Sequence, residues 1–348
     1  ADDLPLQEWL NEQVFPNEAK LKGEEAYIFA KIAIMEYLTS GITSAFDMYI
    51  YPKEVIQACV DCGFRIVQVS GLNNFTSSLE ELEEQYVTYN DYHELCSYKL
   101  GFHAEYTTDK KLLEGLAGLS EKYHAPVYTH NSETKREVEE CRQRYGKSPT
   151  QLFEEMGLYR YGGGGYHCIW FDDEDIDIFA KRNLSVITNP ASNLKLASGI
   201  APLKKMQEAG INLAIGTDGP ASNNCLDMFR EMFLVTGLAK LREHDAAVMD
   251  ANDVLYMATT GGAKAMGLSD CDCLAVGKKA DLFLMDLMQP NMQPEHNLTK
   301  NLVYSGSKQN VKLTMVNGKI LYEDGQFFIS EEPQEIYKKA NEIVSRMK

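Results

Sequence analysis

Residues 128–140 read YTHNSETKREVEE. Ala125 to Thr129 ends a short β-branched and aromatic run, and Thr134 with Glu137 has the spacing of a capping box, so a helix is expected to begin near Lys135. His130 and Glu133 therefore fall on the turn that joins a strand to a helix. In a β/α barrel such turns line the mouth where the chemistry sits.

Working outward, the same alternation repeats. Short apolar runs at 41–47, 64–70, 98–103, 126–130, 165–169, 184–188 and 211–217 read as strands. Amphipathic stretches near 53–62, 78–96, 108–123, 135–156, 172–182 and 201–209 read as helices between them. Strands alternating with helices argue for parallel βαβ units. The expected fold is α/β, a (β/α)8 TIM-type barrel with its first strand missing from the seven counted. After a helical region at 225–266 the pattern changes: runs at 274–285 and 313–322, with the hairpin dipeptide Asn317-Gly318, suggest a small β part. The expected division is a hydrolase barrel over 1–266, a β-sandwich half over 267–330 and a C-terminal helix over 331–348, of which 333–347 is polar and amphipathic.

Composition narrows the function. Hydrophobic residues at 44% and charged residues at 24% give a full globular core. A net charge of -17 with no basic patch argues against nucleic acid and anionic membrane partners, leaving a small molecule, with self-association left open. No run approaches a bilayer span, and the N-terminal residues do not read as a signal peptide. Eight cysteines without a paired framework read as reduced thiols of a cytoplasmic protein packed in buried segments. Cys59 and Cys62 form a CxxC, but on a helix with no second pair, so core packing is the expected role.

The polar residues at strand ends carry the chemistry. His103 ends one strand, His130 the next, His167 lies in the one after, Asp218 follows the last, and Glu133 sits beside them. Each has an ordinary reading: a hydrogen-bonded structural histidine, an Asp before Gly in a turn, an acid favoured in a helix's first turn. Their joint placement on successive strand ends, which point to one mouth, favours a zinc-type site of imidazoles and carboxylates with a place for water. His93, His124, His244 and His296 fall on helices or loops and take the structural reading.

At these residues the sequence resembles the amidohydrolase superfamily, and within it the 5'-methylthioadenosine/S-adenosylhomocysteine deaminases. The resemblance is carried by HisAlaGluTyrThr (103–107), ThrHisAsnSerGluThr (129–134), HisCys (167–168), AsnProAlaSerAsnLeuLysLeuAlaSerGlyIleAlaPro (189–202) and GlyThrAspGlyProAlaSerAsnAsn (216–224). GlyLysLysAlaAspLeu (277–282) and ValAsnGlyLys (316–319) extend it to the C-terminal β part. It implies that His130 and Asp218 are ligands of one divalent metal, zinc ahead of iron or manganese. It implies that His103 and Glu133 contact substrate, that His167 lies beside the activated water, and that Glu18 meets the ribose hydroxyls with Trp9 lining the same pocket. Without it, Trp9 and Glu18 read as an ordinary amphipathic helix. The reaction implied is hydrolytic deamination of an adenine nucleoside to its inosine analogue and ammonia. Glu133 would protonate the ring, Asp218 would take the water proton and His167 would steady the attacking oxygen.

Three departures stand out. The family's His-x-His pair, from the end of the first barrel strand, occurs nowhere in this sequence. The resemblance therefore implies a further strand and two further ligands ahead of residue 1, and a chain that is inactive without them. Residues 72–81 contain no arginine to hold a homocysteine carboxylate, which counts against S-adenosylhomocysteine as substrate. Glu105 stands where proline is commoner. The alternatives are a related hydrolase of guanine, triazine or pterin rings, or a catalytically dead fragment. No lysine ends the strand at 98–103, which disfavours carboxylated-lysine enzymes, and the absence of ProCysxxCys excludes the cytidine deaminase type.

Overall fold

Seven parallel strands, hydrogen-bonded in the order of the sequence, form the main sheet of the computed structural model, which describes residues 3–348. The first two residues of the expected 1–266 barrel lie outside the described residues. The strands are β1 (Ser44–Met48), β2 (Arg65–Val69), β3 (Cys96–Gly101), β4 (Val127–Asn131), β5 (Gly163–His167), β6 (Ser185–Thr188) and β7 (Asn212–Ile215). All seven sequence expectations have their strand, and among the described residues β1 and β7 are not paired with each other. A four-stranded antiparallel sheet follows, built from β8 (Leu282–Met285), β9 (Val311–Val316), β10 (Lys319–Glu323) and β11 (Gln326–Phe327). Asn317 and Gly318 turn β9 into β10 with φ of +49° and +77°, as the hairpin dipeptide requires.

Local chemistry sets the helix limits. Ser78, Asp109, Thr134, Asp172 and Asp227 each accept a backbone N–H at a helix start. His124 and His244 end helices in the left-handed conformation, which gives two of the four remaining histidines a structural role. The stretch 135–156 is two helices, Lys135–Tyr145 and Pro149–Glu155, because Gly146 closes the first in the left-handed region and Ser148 caps the second ahead of Pro149. Helices at Gly23–Thr39 and Leu298–Tyr304 were not anticipated. Of the expected strand at 274–285, only the last four residues pair.

Inside the curved sheet, Val69, Tyr128, Tyr166, Ile187 and Ala214 pack with Phe46 and Met48. The Phe46 ring meets the edges of Tyr128 and Tyr166 at 4.9 and 5.6 Å. Strand alternation then puts His130, two residues beyond Tyr128, on the same inner face and nearer the C-terminal mouth. The larger core lies between the sheet and its outer helices. Cys59 and Cys62 are buried in the helix Pro52–Cys62, where burial pushes the Cys62 thiol up to about 11, consistent with packing. All eight cysteines are free, and Cys273 is exposed rather than buried.

Strand β5 starts two residues earlier than expected because its first residues are glycines, which carry no strand signal of their own. Neighbouring backbone selects them: a Cβ on Gly163 would lie 1.9 Å from the Val127 carbonyl oxygen, at a φ of +132°. Gly163→Ala is expected to cost roughly 3 kcal/mol or more by forcing β4 and β5 apart. A thermal melt within a few degrees of the parent protein's would contradict that.

Buried polar contacts tie the second sheet to the first and to the helix Gly23–Thr39. Arg65 on β2 makes a two-pronged ion pair with Asp281, at 2.6 and 2.9 Å, and both side chains are almost wholly buried. Thr314 on β9 donates to the Leu38 carbonyl at 2.7 Å.

Candidate active site

The C-terminal ends of β3 to β7 bring five of the expected residues together. His130 on β4 has its Nδ1 2.8 Å from the His103 carbonyl oxygen, which fixes the proton on Nδ1 and leaves Nε2 as a lone pair. Its ring centroid is 5.1 Å from that of His103 and 5.6 Å from that of His167. His103 in turn bonds Thr107 through Nδ1 at 2.9 Å. At the end of β5, His167 donates Nδ1–H to Asn193 at 2.7 Å, so Nε2 faces inward, 3.8 Å from Glu133 and 3.9 Å from Asp218. Asp218 accepts the Ser192 hydroxyl at 2.6 Å and the Gly219 N–H at 2.7 Å.

The backbone at these positions is unusual. Ser132, His167, Cys168 and Asp218 all have φ between +50° and +67°. Non-glycine residues in that region cost of order 1–3 kcal/mol each, and they persist where the surroundings over-determine them. The left-handed turn is what swings a side chain off the strand's alternation and into the mouth.

Glu133 is 4% exposed and accepts the Ser198 hydroxyl at 3.2 Å. Its own N–H, and that of Ser132, are held by the Glu137 carboxylate at 2.8 and 3.0 Å. The capping box is therefore half of what the spacing predicts. Thr134 accepts the Glu137 N–H, but Glu137 grips the two residues before the cap instead of Thr134 itself. The result fixes the Glu133 turn from beneath. Glu105 is buried against this network and ion-paired to Arg144, which accounts for an acid at that position.

Electrostatics separate the groups. Burial, then His130, pushes His103 down to about 3, and burial, then His167, pushes His130 down to about 4, so both are neutral near pH 7. Burial raises Glu133, with the nearby Asp218 charge adding to it and His167 opposing. For Asp218, burial is outweighed by His167, Ser192, His130 and the Gly219 N–H, which together hold it below the usual range. Against burial, Glu133 and Asp218 lift His167 above its ordinary value. Two carboxyls pushed in opposite directions on either side of one imidazole nitrogen is the arrangement of an acid and a base.

The donor chemistry suits a divalent metal in part. A neutral imidazole with a free Nε2 and an ionised carboxylate are zinc-type ligands. Among the described residues no group of three His, Cys, Asp or Glu side chains is disposed to hold a metal alone. His130 and Asp218 thus fit as members of a larger ligand set.

The two remaining expected residues lie at the rim. Trp9 packs with Leu6, Leu10, Leu196 and Tyr106, whose ring is 6.0 Å from that of His103, and its buried indole N–H has no hydrogen-bond partner among the described residues. Glu18 is half-buried beside Tyr49, just past the end of β1; burial raises its pKa, with Tyr49 opposing. Ser192, Asn193, Ser198 and Glu137 were not anticipated. The first three lie in a stretch singled out as a motif, where a polar run ending a strand was the available signal.

The chain matches the model of the amidohydrolase family over residues 1–321. The chain belongs to the amidohydrolase family. This amidohydrolase is 37% identical to a 5-methylthioadenosine/S-adenosylhomocysteine deaminase of Dictyoglomus thermophilum, over 99% of its own length and 83% of the relative's. It is also 37% identical to a 5'-deoxyadenosine deaminase of Methanothermobacter thermautotrophicus, over 95% and 79%. An adenosine deaminase from Xanthomonas campestris, crystallised with bound zinc, superposes with a TM-score of 0.94 at 33% identity, covering 100% of this chain and 81% of that one. The TIM-type fold and a hydrolase acting on C–N bonds follow, and the relatives' names support adenine nucleoside deamination. Among the described residues no helix is long and apolar enough to cross a membrane.

The buried acids of this amidohydrolase give its stability a predicted pH dependence. Burial first, with Glu133 and Glu105 adding, lifts Glu137 from 4.5 to about 8; burial lifts Glu231 from 4.5 to about 7. Each holds its proton in the folded state after the unfolded chain has lost it. The stability they contribute is full below 4.5 and lost as pH rises through the folded values. His103 works oppositely: its stability is present above 6.5 and lost as pH falls towards about 3. Denaturation midpoints of chelator-treated protein are expected to peak on the acid side of neutrality, between 4.5 and 6.5, and Glu137→Gln is expected to flatten the fall above that range. An unchanged alkaline slope in that variant would contradict the assignment.

Proposed function

We propose that the protein hydrolytically deaminates C6 of an adenine nucleoside bearing an uncharged 5' group, such as 5'-methylthioadenosine or 5'-deoxyadenosine, with one divalent metal, zinc ahead of iron or manganese. The observation that carries this is that His167 Nε2 lies 3.8 Å from Glu133 and 3.9 Å from Asp218 at the sheet's C-terminal mouth, in a chain similar to named adenosine-type deaminases. His130 and Asp218 would hold the metal with ligands beyond these two. When bound, it supplies a water whose pKa falls to about 7.

The chain's own groups do the rest. Glu133, whose raised pKa favours the protonated form, donates to the ring nitrogen beside C6. Asp218 takes a proton from the attacking water. His167, held by Asn193, points Nε2 at the incoming oxygen and steadies the tetrahedral carbon. The proton on Asp218 passes to the amino group, ammonia leaves, and the added hydroxyl returns its proton to Glu133. The product keeps a C6 carbonyl and a ring N–H. His103 presents its edge to the base, and Trp9 and Glu18 line the sugar side.

The loop after β2 offers Asn73, Asn74 and Phe75 and no arginine, which supports an uncharged 5' group over homocysteine. A panel of 5'-methylthioadenosine, 5'-deoxyadenosine, S-adenosylhomocysteine, guanine and a chlorinated triazine tests the reading. The first two are expected to give the highest kcat/KM. Turnover of guanine or the triazine in their place would overturn it.

A further inference from the structure

Glu231 is fully buried on the helix Met228–Glu243, outside the reacting shell, and both of its carboxylate oxygens bond segments of the site. One oxygen accepts the Ala191 N–H at 3.0 Å and the other accepts Asn223 Nδ2–H at 2.8 Å. The same Asn223 nitrogen donates to the Thr217 carbonyl at 2.6 Å. Ala191 precedes Ser192 and Asn193, which bond Asp218 and His167 respectively, and Thr217 precedes Asp218.

These contacts close a ring: from Glu231 through Ala191 and Ser192 to Asp218, and back through Thr217 and Asn223 to Glu231. The geometry points to Glu231 as a positioning residue that sets the separation of Asp218 from His167 by tying the turn after β6 to the turn after β7.

Two features argue against a mere space-filler. An apolar side chain of similar volume would occupy this site without the cost of burying a carboxylate, so the group is justified only by what it bonds. Asn223 spends both amide hydrogens on Thr217 and Glu231 while its buried Oδ1 has no partner among the described residues, so the amide is placed for its donors. Partners of this kind, one shell out from a ligand, are typically worth about 10–100-fold in metal affinity or activity.

The inference rests on the reading that Asp218 and His167 face the reacting base, and its test separates the two. Glu231→Ala and Glu231→Gln are crystallised and assayed on 5'-methylthioadenosine beside the parent protein. In Glu231→Ala the 3.9 Å Asp218–His167 separation is expected to widen. Its kcat is expected to fall about 10–100-fold, with KM nearly unchanged. Glu231→Gln, which keeps one acceptor, should fall between. An unchanged separation overturns the inference, as does a lowered melting temperature with the folded fraction's kcat intact. If Glu231→Ala does not fold, Glu231→Gln decides by the same readouts. A parent protein that turns over no adenine nucleoside overturns the proposed function instead, and the crystallographic separation still decides the positioning claim.

Discussion

Glu133→Gln is expected to lower kcat by about 10²–10⁴-fold, the range for a positioned acid-base group, while metal content and substrate KM stay close to the parent's. Glutamine keeps the length and can still accept the Ser198 hydroxyl, so the turn held by Glu137 has no reason to move. What it lacks is a carboxyl proton whose affinity burial has raised. Because Glu133 lies 3.8 Å from His167 Nε2 and is the largest contributor holding the His167 pKa up against burial, replacing this ionisable carboxyl by an amide should also lower that pKa. Steady-state kinetics with metal analysis on the same preparation checks this. Near-normal turnover in Glu133→Gln would remove Glu133 from the mechanism.

Asp218→Asn should have the larger consequence, about 10⁴-fold or more in kcat, because one side chain is assigned two tasks. The neutral amide is a poor metal ligand and cannot hold the water proton. The amide oxygen can still accept the Gly219 N–H, and the amide N–H can donate to the Ser192 oxygen in place of the present acceptor, so the turn and the fold should survive. The two variants therefore separate by metal content: retained in Glu133→Gln, diminished in Asp218→Asn. Equal metal content in both would contradict Asp218 as a ligand.

Much of this was legible because the deciding signals are local. Strand-helix alternation gave the parallel sheet, and each of seven apolar runs became a strand. His103, His130, His167 and Asp218 could be placed at the mouth because strand ends are readable in sequence. Boundaries failed where tertiary contact overrides propensity: the glycines opening β5 are chosen by the Val127 carbonyl, which no neighbour in sequence reveals. The stretch 135–156, expected as one helix, is two, although Gly146, Ser148 and Pro149 punctuate it in the order a cap demands. The supporting tier was less so. Ser192 and Asn193 lie inside a recognised motif, yet their partners are 26 residues away. Glu231 sits in the first turn of its helix, where an acid is ordinary, and only its burial against two distant turns distinguishes it. Trp9 and Glu18 came from family resemblance alone.

The most direct test of the account is the product formed from 5'-methylthioadenosine in isotopically labelled water with zinc supplied. The account predicts the inosine analogue with one solvent oxygen in its base and one ammonia released per product. Unaltered nucleoside from metal-loaded protein, or product formed by loss of another group, would contradict it.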